Sequence, residues 1–487
     1  MTTRQDKTTP RIAIIGGGIA GLSAAWQFQK HQRDFEVSLF DVASSLGGVL
    51  QTEQVGDYLV ESSADMFVSD PDPAIQLCEE IGFADQLVRT STVGQRAYIV
   101  RDGHLHPVPQ GLSMMLPSQT ESILASPLLS PAGKSRFLQE RDIPASKSDE
   151  DESFESFAIR RFGTEAFENI FQPLIGGIYT ADSAKLSMNA CLKRFVDLEQ
   201  QRGSLLAAGQ QSTKKQDRQS SGARYGIFVA PRNGMTSLID HLVSKLADVQ
   251  ICLSHRVVSA RLVDQQWQIQ TESTLGSSAS QAKNETFDSV VFAISARQAV
   301  GIVKNIDAEL AEKLDTIEYA SSAVVTIGCP ESAFLENSNL PATQSFGFVV
   351  PEAENRPIIA GSFASNKFAG RAPQEKKLVR VFIGGAKHPE FLELDDNALI
   401  GLAVRQLQSL VGLEPEKTDF VNVYRWKNTM PQYHVGHLEL VEQIFSRLQS
   451  HKGLEIAGSS YRGVGIPACI ASGRSAAKRS INFLVGE

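Results

Sequence analysis

Residues 11–21 read RIAIIGGGIAG, and this stretch decides the fold of the N-terminal part of the chain. The apolar run RIAII lies between Pro10 and a glycine cluster, a pattern typical of a buried parallel strand. Good helix formers follow Gly21, and VSLF at 37–40 predicts a second strand that ends at Asp41. The opening therefore predicts a strand, a helix and a strand in one βαβ unit.

The glycines of this stretch have the spacing G-x-G-x-x-G. Gly16 permits a tight turn, Gly18 lets the backbone approach a pyrophosphate, and Gly21 allows the helix to pack closely on the strand. Free N–H groups at the helix start favour anionic phosphates. Asp41 follows Gly21 by 20 positions, where its carboxylate can accept hydrogen bonds from a ribose hydroxyl. The pattern predicts a dinucleotide site without separating FAD from NAD.

Two further glycine-rich stretches bear on that choice. Gly47 and Gly48 follow the ribose-binding strand. An NAD site does not need this second pair of glycines, but FAD enzymes resembling amine oxidases have it. A simple surface turn is the alternative. Residues 458–469, GSSYRGVGIPAC, predict a loop that opens a helix. The positive end of that helix would face a ring that gains negative charge when reduced. A C-terminal packing helix is the alternative reading.

The composition excludes several classes of function. The 487 residues include 47 Lys plus Arg and 55 Asp plus Glu, a formal net charge of −8, which argues against nucleic-acid binding. Five cysteines without C-x-x-C spacing disfavour disulfides and structural zinc, and favour a reducing, cytoplasmic compartment. His434 and His437 lack a third ligand and are interpreted as structural. No apolar window reaches the roughly 18 residues of a spanning helix.

Four blocks of sequence resemble the oxygen-dependent protoporphyrinogen and coproporphyrinogen oxidases, FAD flavoproteins of the amine-oxidase-like superfamily. The blocks are residues 16–26 with LGGV at 46–49, RAYIVRDGHLHPVPQG at 96–111, FGTEAFENIFQPLIGGIYTADSAKL at 162–186, and residues 424–473. Many flavin amine oxidases share the first block, whereas the others are specific. The resemblance covers nearly the whole chain.

The patterning along the chain and the resemblance together predict an α/β fold with three units. A Rossmann-like FAD-binding domain would combine residues 1–84, 225–297 and 446–487. A helical insertion would span 85–202, a flexible linker 203–224, and a mixed-sheet substrate-binding domain 298–445.

The resemblance also implies the residues of the site. FAD would contact Gly16, Gly17, Gly18, Ile19, Ala20, Gly21, Asp41, Gly48, Val49, Val257, Trp426, Ser459, Val464, Gly465 and Ile466. Arg96 would bind a substrate propionate, Phe346 and Val349 would sandwich the tetrapyrrole, and Gly177 would let the ring approach closely. Each has a plainer alternative: a solvated surface arginine for Arg96, and core packing for Phe346 and Trp426.

The implied activity is oxidation of protoporphyrinogen IX or coproporphyrinogen III to the porphyrin by FAD and dioxygen, with release of hydrogen peroxide, late in heme biosynthesis. The chemistry belongs to the cofactor, so no catalytic side chain is predicted. A flavin amine oxidase, a carotenoid-type desaturase and a non-catalytic FAD-binding scaffold are the alternatives. The resemblance is compatible with a homodimer, with peripheral membrane contact and with product transfer to a ferrochelatase.

Two positions depart from the family pattern. A Gly-Pro pair usually follows the glutamate that Glu61 matches, but this chain reads ESSADM at 61–66, which puts the contacts of that loop with the flavin in doubt. A common Lys-Gly-Gly is replaced by RNG at 232–234, which keeps the positive charge.

Overall fold

The computed structural model describes residues 9–31, 35–70, 72–148, 150–211, 227–275, 282–335 and 345–486. The strands are β1 Arg11–Ile15, β2 Glu36–Phe40, β3 Thr52–Val55, β4 Tyr58–Glu61, β5 Phe67–Val68, β6 Leu87–Arg89, β7 Ala97–Arg101, β8 His104–Pro107, β9 Leu112–Ser113, β10 Leu116–Pro117, β11 Phe228–Pro231, β12 Val249–Cys252, β13 His255–Val263, β14 Gln266–Ser273, β15 Lys283–Phe287, β16 Ser289–Phe292, β17 Tyr319–Pro330, β18 Gly347–Val349, β19 Ile358–Phe363, β20 Lys376–Gly384, β21 Phe420–Pro431 and β22 Leu454–Ile456.

The α-helices are α1 Ile19–Gln29, α2 Pro73–Ile81, α3 Thr120–Ala125, α4 Pro131–Leu138, α5 Phe154–Phe162, α6 Thr164–Ala166, α7 Gln172–Tyr179, α8 Met188–Cys191, α9 Lys193–Arg202, α10 Leu205–Gln210, α11 Met235–Ser244, α12 Ala296–Val303, α13 Ala308–Asp315, α14 Ala364–Lys367, α15 Asp396–Val411, α16 His437–Leu448 and α17 Ile466–Val485. A π-helical turn, Phe167–Phe171, precedes α7. Short 3₁₀ turns lie at Ala84–Gln86, Gln139–Asp142, Glu331–Ala333, Glu352–Glu354, Pro389–Glu393 and Pro415–Lys417.

A parallel sheet is built from both ends and the middle of the chain. Its order is β12-β2-β1-β16-β22, and every neighbouring pair is parallel. The predicted strands at 11–15 and 37–40 are confirmed, and the first is buried because sheet and helices cover both its faces. Helix α1 packs against α17, where a Cβ at Gly473 would lie 2.0 Å from the carbonyl oxygen of Ala20. The α/β fold class is thereby confirmed.

A mixed sheet forms the second layer, in the order β21-β17-β20-β19-β18-β7-β8. Only the β18–β7 pair in this sheet is parallel. Because side chains alternate along each strand, the sheet has two different faces. We call the face packed on α15 the closed face, and it includes Val325, Val379, Val381 and Ile383, all 0 % exposed.

The opposite face of this mixed sheet is called the open face. The register places Val349, Ala360, Phe382, Val324 and Tyr424 side by side in one row across five strands. All except Val324 are partly exposed. A partly exposed row of apolar side chains in the interior of a sheet is a surface on which a flat apolar ligand can lie.

The boundaries of the predicted units differ from the structure in three places. Residues 97–107, expected in the helical insertion, form β7 and β8 of the mixed sheet, because AYIV is aromatic and β-branched. Strand β6 pairs with β11 from beyond the linker. The first part of the expected linker 203–224 forms helix α10, which buries Leu205. The Ser204 hydroxyl caps this helix by accepting a hydrogen bond of 3.1 Å from the N–H of Ala207. Residues 212–224 lie outside the described residues.

Candidate functional site

The glycine turn after β1 lies at the carboxyl edge of the parallel sheet, where ligands of such sheets bind. Gly16 has φ +108°, and a Cβ there would lie 2.5 Å from the carbonyl oxygen of Ala293. A Cβ at Gly21 would lie 1.9 Å from the Gly16 oxygen, so neither position tolerates a side chain. At Gly18, in contrast, a Cβ would have no atom within 4 Å. The turn therefore exposes its backbone to open space at Gly18, as a pyrophosphate requires.

The second glycine pair lies directly on this turn. The N–H of Gly47 donates to the Gly17 oxygen at 2.8 Å, and a Cβ at Gly48 would meet Gly18 Cα at 3.4 Å. Val49, which follows, is 40 % exposed. The structure thus joins Gly17, Gly18, Gly48 and Val49 in one wall, and the buried residues Ile19 and Ala20 begin α1 behind it.

Asp41 follows β2 beside the turn. Its Oδ2 accepts from the N–H of Gly17 at 2.6 Å, and its Oδ1 accepts from the N–H of Ala43 at 2.7 Å. Each carboxylate oxygen keeps further acceptor capacity, so a ribose hydroxyl can still donate to it. The neighbouring strand β13 begins at His255, whose N–H donates to the Asp41 carbonyl at 2.8 Å. Val257 lies two residues on, at the edge of a β-bulge that interrupts its ladder with β14.

Helix α17 begins at the same edge, after β22. Gly465 is its N-cap and Ile466 its first residue, and no side chain caps the helix. Uncapped N–H groups and the helix dipole favour an electron-rich group at this end. Ser459 and Val464 lie in the loop before the helix and are partly exposed.

Two aromatic side chains that the sequence reasoning did not assign to the site hold this loop. The Tyr433 hydroxyl donates to the Ser459 carbonyl at 2.5 Å and accepts from the N–H of Gly463 at 2.7 Å. His437 stacks on the Tyr433 ring with centroids 3.8 Å apart, and its Nε2 lies 2.8 Å from the backbone carbonyl oxygen of Tyr461. Burial raises the pKa of Tyr433 and lowers the pKa of His437, so both are neutral near pH 7. The motif YHVGH contains both residues, but their separation from the loop in sequence hides the contact.

The predicted substrate residues meet at one corner of the mixed sheet. The N–H of Phe346 donates to the Arg96 carbonyl at 2.9 Å, which places the exposed Arg96 at the rim. Val349 lies on the open face, partly exposed, as the predicted apolar contact requires. Phe346 is only 1 % exposed and packs among the helices, so the structure places it behind the surface rather than on it.

Gly177 and Trp426 lie near opposite ends of the open face. A Cβ at Gly177 in α7 would lie 3.8 Å from Ile359 Cγ2, beside the row that contains Val349. Trp426 lies in β21 opposite Ser322, partly exposed, and its Nε1 donates to the Ser62 carbonyl at 2.8 Å. That bond connects the open face to the ESSADM loop, which follows β4 and approaches the glycine wall.

Taken together, these elements fit a flavin dinucleotide. The glycine turn has room for phosphates at Gly18, Asp41 has acceptor capacity for a ribose, and the uncapped start of α17 faces the same edge. The ring end of such a ligand would lie between Gly48 and the open face. In the described ranges, three or more His, Cys, Asp or Glu side chains do not converge in the way a metal ion needs.

The fold and site define an α/β protein with a glycine-rich turn, suited to a dinucleotide, at the edge of its parallel sheet. The family model for flavin containing amine oxidoreductases matches residues 19–481, and the chain belongs to that family. It is therefore a flavoprotein oxidoreductase by descent.

Relatives with a stated substrate are similar over almost the entire length. The chain is 30 % identical to coproporphyrinogen III oxidase of Bacillus subtilis (strain 168), covering 97 % of this chain and 98 % of the relative. It is 26 % identical to the chloroplastic protoporphyrinogen oxidase of Oryza sativa subsp. japonica, covering 97 % and 88 %. An assigned protoporphyrinogen oxidase structure from Exiguobacterium sp. 255-15 superposes with a TM-score of 0.85 at 26 % identity, covering 98 % and 99 %. Over the described helices, none has the length and apolar composition to cross a bilayer.

Proposed function

We propose that this protein binds FAD at the glycine wall and oxidises a porphyrinogen, protoporphyrinogen IX or coproporphyrinogen III, to the corresponding porphyrin late in heme biosynthesis. Dioxygen would be the final electron acceptor and hydrogen peroxide the second product. The observation that supports this most strongly is the 30 % identity with coproporphyrinogen III oxidase across 97 % of the chain. The specific blocks at 96–111 and 162–186 supply the corner and helix around the open face.

The geometry of the open face supports a flat substrate that bears carboxylates. When bound, FAD supplies the acceptor for the electrons taken from the macrocycle. Val349 and Phe382 offer apolar surface to the ring. Gly177 adds no side chain beside Ile359, where a Cβ would already be in van der Waals contact. Arg96 at the rim can pair with a propionate, and this pairing would orient the ring over the open face.

The test compares Arg96→Ala with Arg261→Ala, a matched exposed arginine in the three-stranded β13–β15 sheet. Porphyrin fluorescence and hydrogen peroxide are followed with each porphyrinogen. We expect Arg96→Ala to raise KM about tenfold, or ~1.4 kcal/mol, with the bound flavin unchanged. Arg261→Ala should leave KM unchanged. Equal KM values for wild type and Arg96→Ala on both substrates would contradict the role of Arg96 in substrate binding. The ratio of wild-type turnover on the two substrates identifies which porphyrinogen the protein prefers.

Amine oxidation is the second candidate, because the matching family model describes amine oxidoreductases. Peroxide release with amines, in the absence of any porphyrin fluorescence from porphyrinogens, would favour it. A carotenoid-type desaturase would show neither response. A flavin that every porphyrinogen, amine and carotenoid precursor fails to reduce would indicate a non-catalytic scaffold.

We further propose that the parallel sheet and the mixed sheet are the cores of the FAD-binding and substrate-binding units. The support is that β1, β2, β12, β16 and β22 come from residues 11–40, 249–292 and 454–456. Strands β7 and β8 extend the substrate-binding unit to the corner at Arg96.

A further inference from the structure

Five charged side chains are buried together where the loop after β4 meets β20. We call Glu61, Asp65, Lys367, Arg371 and Arg380 the charge cluster, and each is at most 8 % exposed. Arg380 Nη1 lies 3.0 Å and Lys367 Nζ 3.8 Å from Asp65 Oδ2. Arg371 Nη2 lies 3.5 Å from Glu61 Oε1. Three cations therefore share two carboxylates away from solvent.

The charge cluster has one positive charge in excess when both carboxylates are ionised and Lys367 is protonated. Burial lowers the pKa of Lys367, and the neighbouring Asp65 carboxylate opposes that shift. Burial opposes ionisation of Asp65, but Lys367, Arg380 and Arg371 lower the pKa of that carboxyl to about 2. Burial raises the pKa of Glu61, whose oxygens accept from the Thr52 hydroxyl at 2.7 Å and the Met235 N–H at 3.0 Å. Protonation of Glu61 would only increase the positive excess. An uncompensated buried charge is costly, so a negative partner nearby would stabilise it.

The charge cluster also has unused donors. The Nε atoms of Arg371 and Arg380 are buried, and no hydrogen-bond partner for either is found in the described part of the chain. Over the same residues, the hydroxyl of Ser362 is buried without a partner as well. The register places Ser362 and Thr326 beside Arg380 on the open face. Arg380, Ser362 and Thr326 form a polar, positively charged patch next to the apolar row.

Two chains of contacts connect the charge cluster to the site. On the open face, the Arg380 guanidinium lies over the Phe382 ring, 5.2 Å from its centroid. Through the loop, Nη2 of Arg380 donates a hydrogen bond to the Ser63 carbonyl. The carbonyl of the neighbouring Ser62 accepts a hydrogen bond from the indole N–H of Trp426.

The loop also reaches the glycine wall. The N–H of Ser62 donates to the Gln51 carbonyl at 3.0 Å, and Gln51 Nε2 donates to the Gly48 carbonyl at 3.0 Å. The loop that departs from the family pattern therefore lies between the charge cluster and Gly48.

We propose that the charge cluster is an electrostatic element of the flavin site: its excess positive charge stabilises the negative charge that the ring gains on reduction, and so raises the flavin reduction potential. Arg380 is a positioning residue in this role, because it acts across the loop rather than by touching substrate. Charges inside a protein are screened much less than charges in water, so one excess charge is sufficient for a measurable shift. The inference rests on the flavin site proposed above, and it does not depend on the identity of the substrate.

The test uses the purified holoprotein, titrated with dithionite against a reference dye of known potential. We expect Arg380→Met to lower the ratio of reduced to oxidised flavin about tenfold at a fixed potential, which is about 30 mV for a two-electron couple. Asp65→Asn should raise the same ratio by a similar factor, because it increases the positive excess. A purely structural role predicts shifts of the same sign, since both variants break one ion pair. Shifts of the same sign, or no shift in either variant, would overturn the inference.

Three controls separate charge from packing. Arg380→Lys keeps the charge and should hold the ratio within threefold of wild type. Lys367→Met removes a different cation of the charge cluster and should also lower the ratio of reduced to oxidised flavin. This variant tests the same charge effect if Arg380→Met folds poorly. Arg425 pairs with Asp396 at 2.7 Å and lies opposite Ala323 of the closed face. Arg425→Met should therefore leave the ratio of reduced to oxidised flavin unchanged.

The outcomes also separate this inference from the proposed function. A wild-type protein that binds no flavin would overturn both. Wild-type and variant proteins that bind flavin with equal potentials would overturn only the role of the charge cluster.

Discussion

The two faces of the mixed sheet are made by alternate residues of the same strands, yet they differ in almost every property. On β20 the closed-face residues Val379, Val381 and Ile383 are apolar and 0 % exposed under α15. The open-face residues between them are Arg380, which is buried and ion-paired, and Phe382, which is partly exposed. One strand therefore contributes a sealed apolar core on one side, and a buried charge beside a partly exposed aromatic ring on the other.

This difference shows how stability and binding are separated in the sheet. The closed face gains free energy from apolar burial, which is independent of pH and insensitive to ligand. The open face leaves apolar area uncovered and buries charges, and both features cost stability unless a ligand or counter-charge offsets them. Substitutions on the two faces should consequently change different measured quantities.

The largest effect should come from the closed face. Ile383→Ala removes a fully buried side chain that is paired with Ala323 and Ile358 and packs in the apolar cluster of the closed face. We expect the free energy of unfolding to fall by about 2–5 kcal/mol in a urea titration. KM of the folded protein should stay within twofold of wild type. A loss below 1 kcal/mol, or a large change in KM at full folding, would break the distinction between the faces.

The next effect is a pH dependence of the charge cluster beside the open face. The pKa of Asp65 is about 2 in the folded protein, against 3.8 for the ordinary side chain. Below about pH 4 the unfolded chain therefore binds the proton more readily, so this contribution is complete above pH 5 and is lost as pH falls towards 2. The contribution of Asp65 should shrink by about 1 kcal/mol by pH 3 in wild type, and Asp65→Asn lacks this contribution.

The measurement is the free energy of unfolding of wild type, Asp65→Asn and Ile383→Ala at pH 6 and pH 3. The stability difference between wild type and Asp65→Asn should shrink at pH 3, whereas the difference between wild type and Ile383→Ala should be equal at both values. An unchanged difference for Asp65→Asn would show that the carboxyl is not held ionised by its cations.

Much of the parallel sheet and its edge could be predicted from the sequence, because the signals there are local. The strand at 11–15, the turn at Gly16 and the start of a helix near Gly465 each follow from a few neighbouring residues. Residues 97–107 lie within the predicted helical insertion but form strands of the mixed sheet. The strand that joins them to this sheet, β18, is distant in sequence, so a local pattern does not show which sheet they join.

The open face could not be predicted in the same way, because it depends on the register between distant strands. Ser63 and Arg380 are 317 residues apart in sequence and bonded in the structure. A sequence signal did exist: Arg380 is a lone charge inside the apolar run LVRVFI, where a solvated arginine is out of place. At Phe346 a sequence signal was present but pointed elsewhere. The resemblance implies that Phe346 contacts the substrate, whereas the fold buries its side chain.

The smallest predicted effect tests the open face directly at the neighbour of Ile383. Phe382→Ala should raise KM for a porphyrinogen roughly threefold to tenfold, or about 0.7–1.4 kcal/mol, because it removes apolar area from the row that includes Val349. Its cost in unfolding free energy should be well below that of Ile383→Ala, since the Phe382 ring is only partly buried. Phe382→Leu, which retains apolar area, should recover most of the affinity. If Phe382→Ala instead matched Ile383→Ala in stability loss and left KM unchanged, the open face would be a core surface and the substrate would have to lie elsewhere.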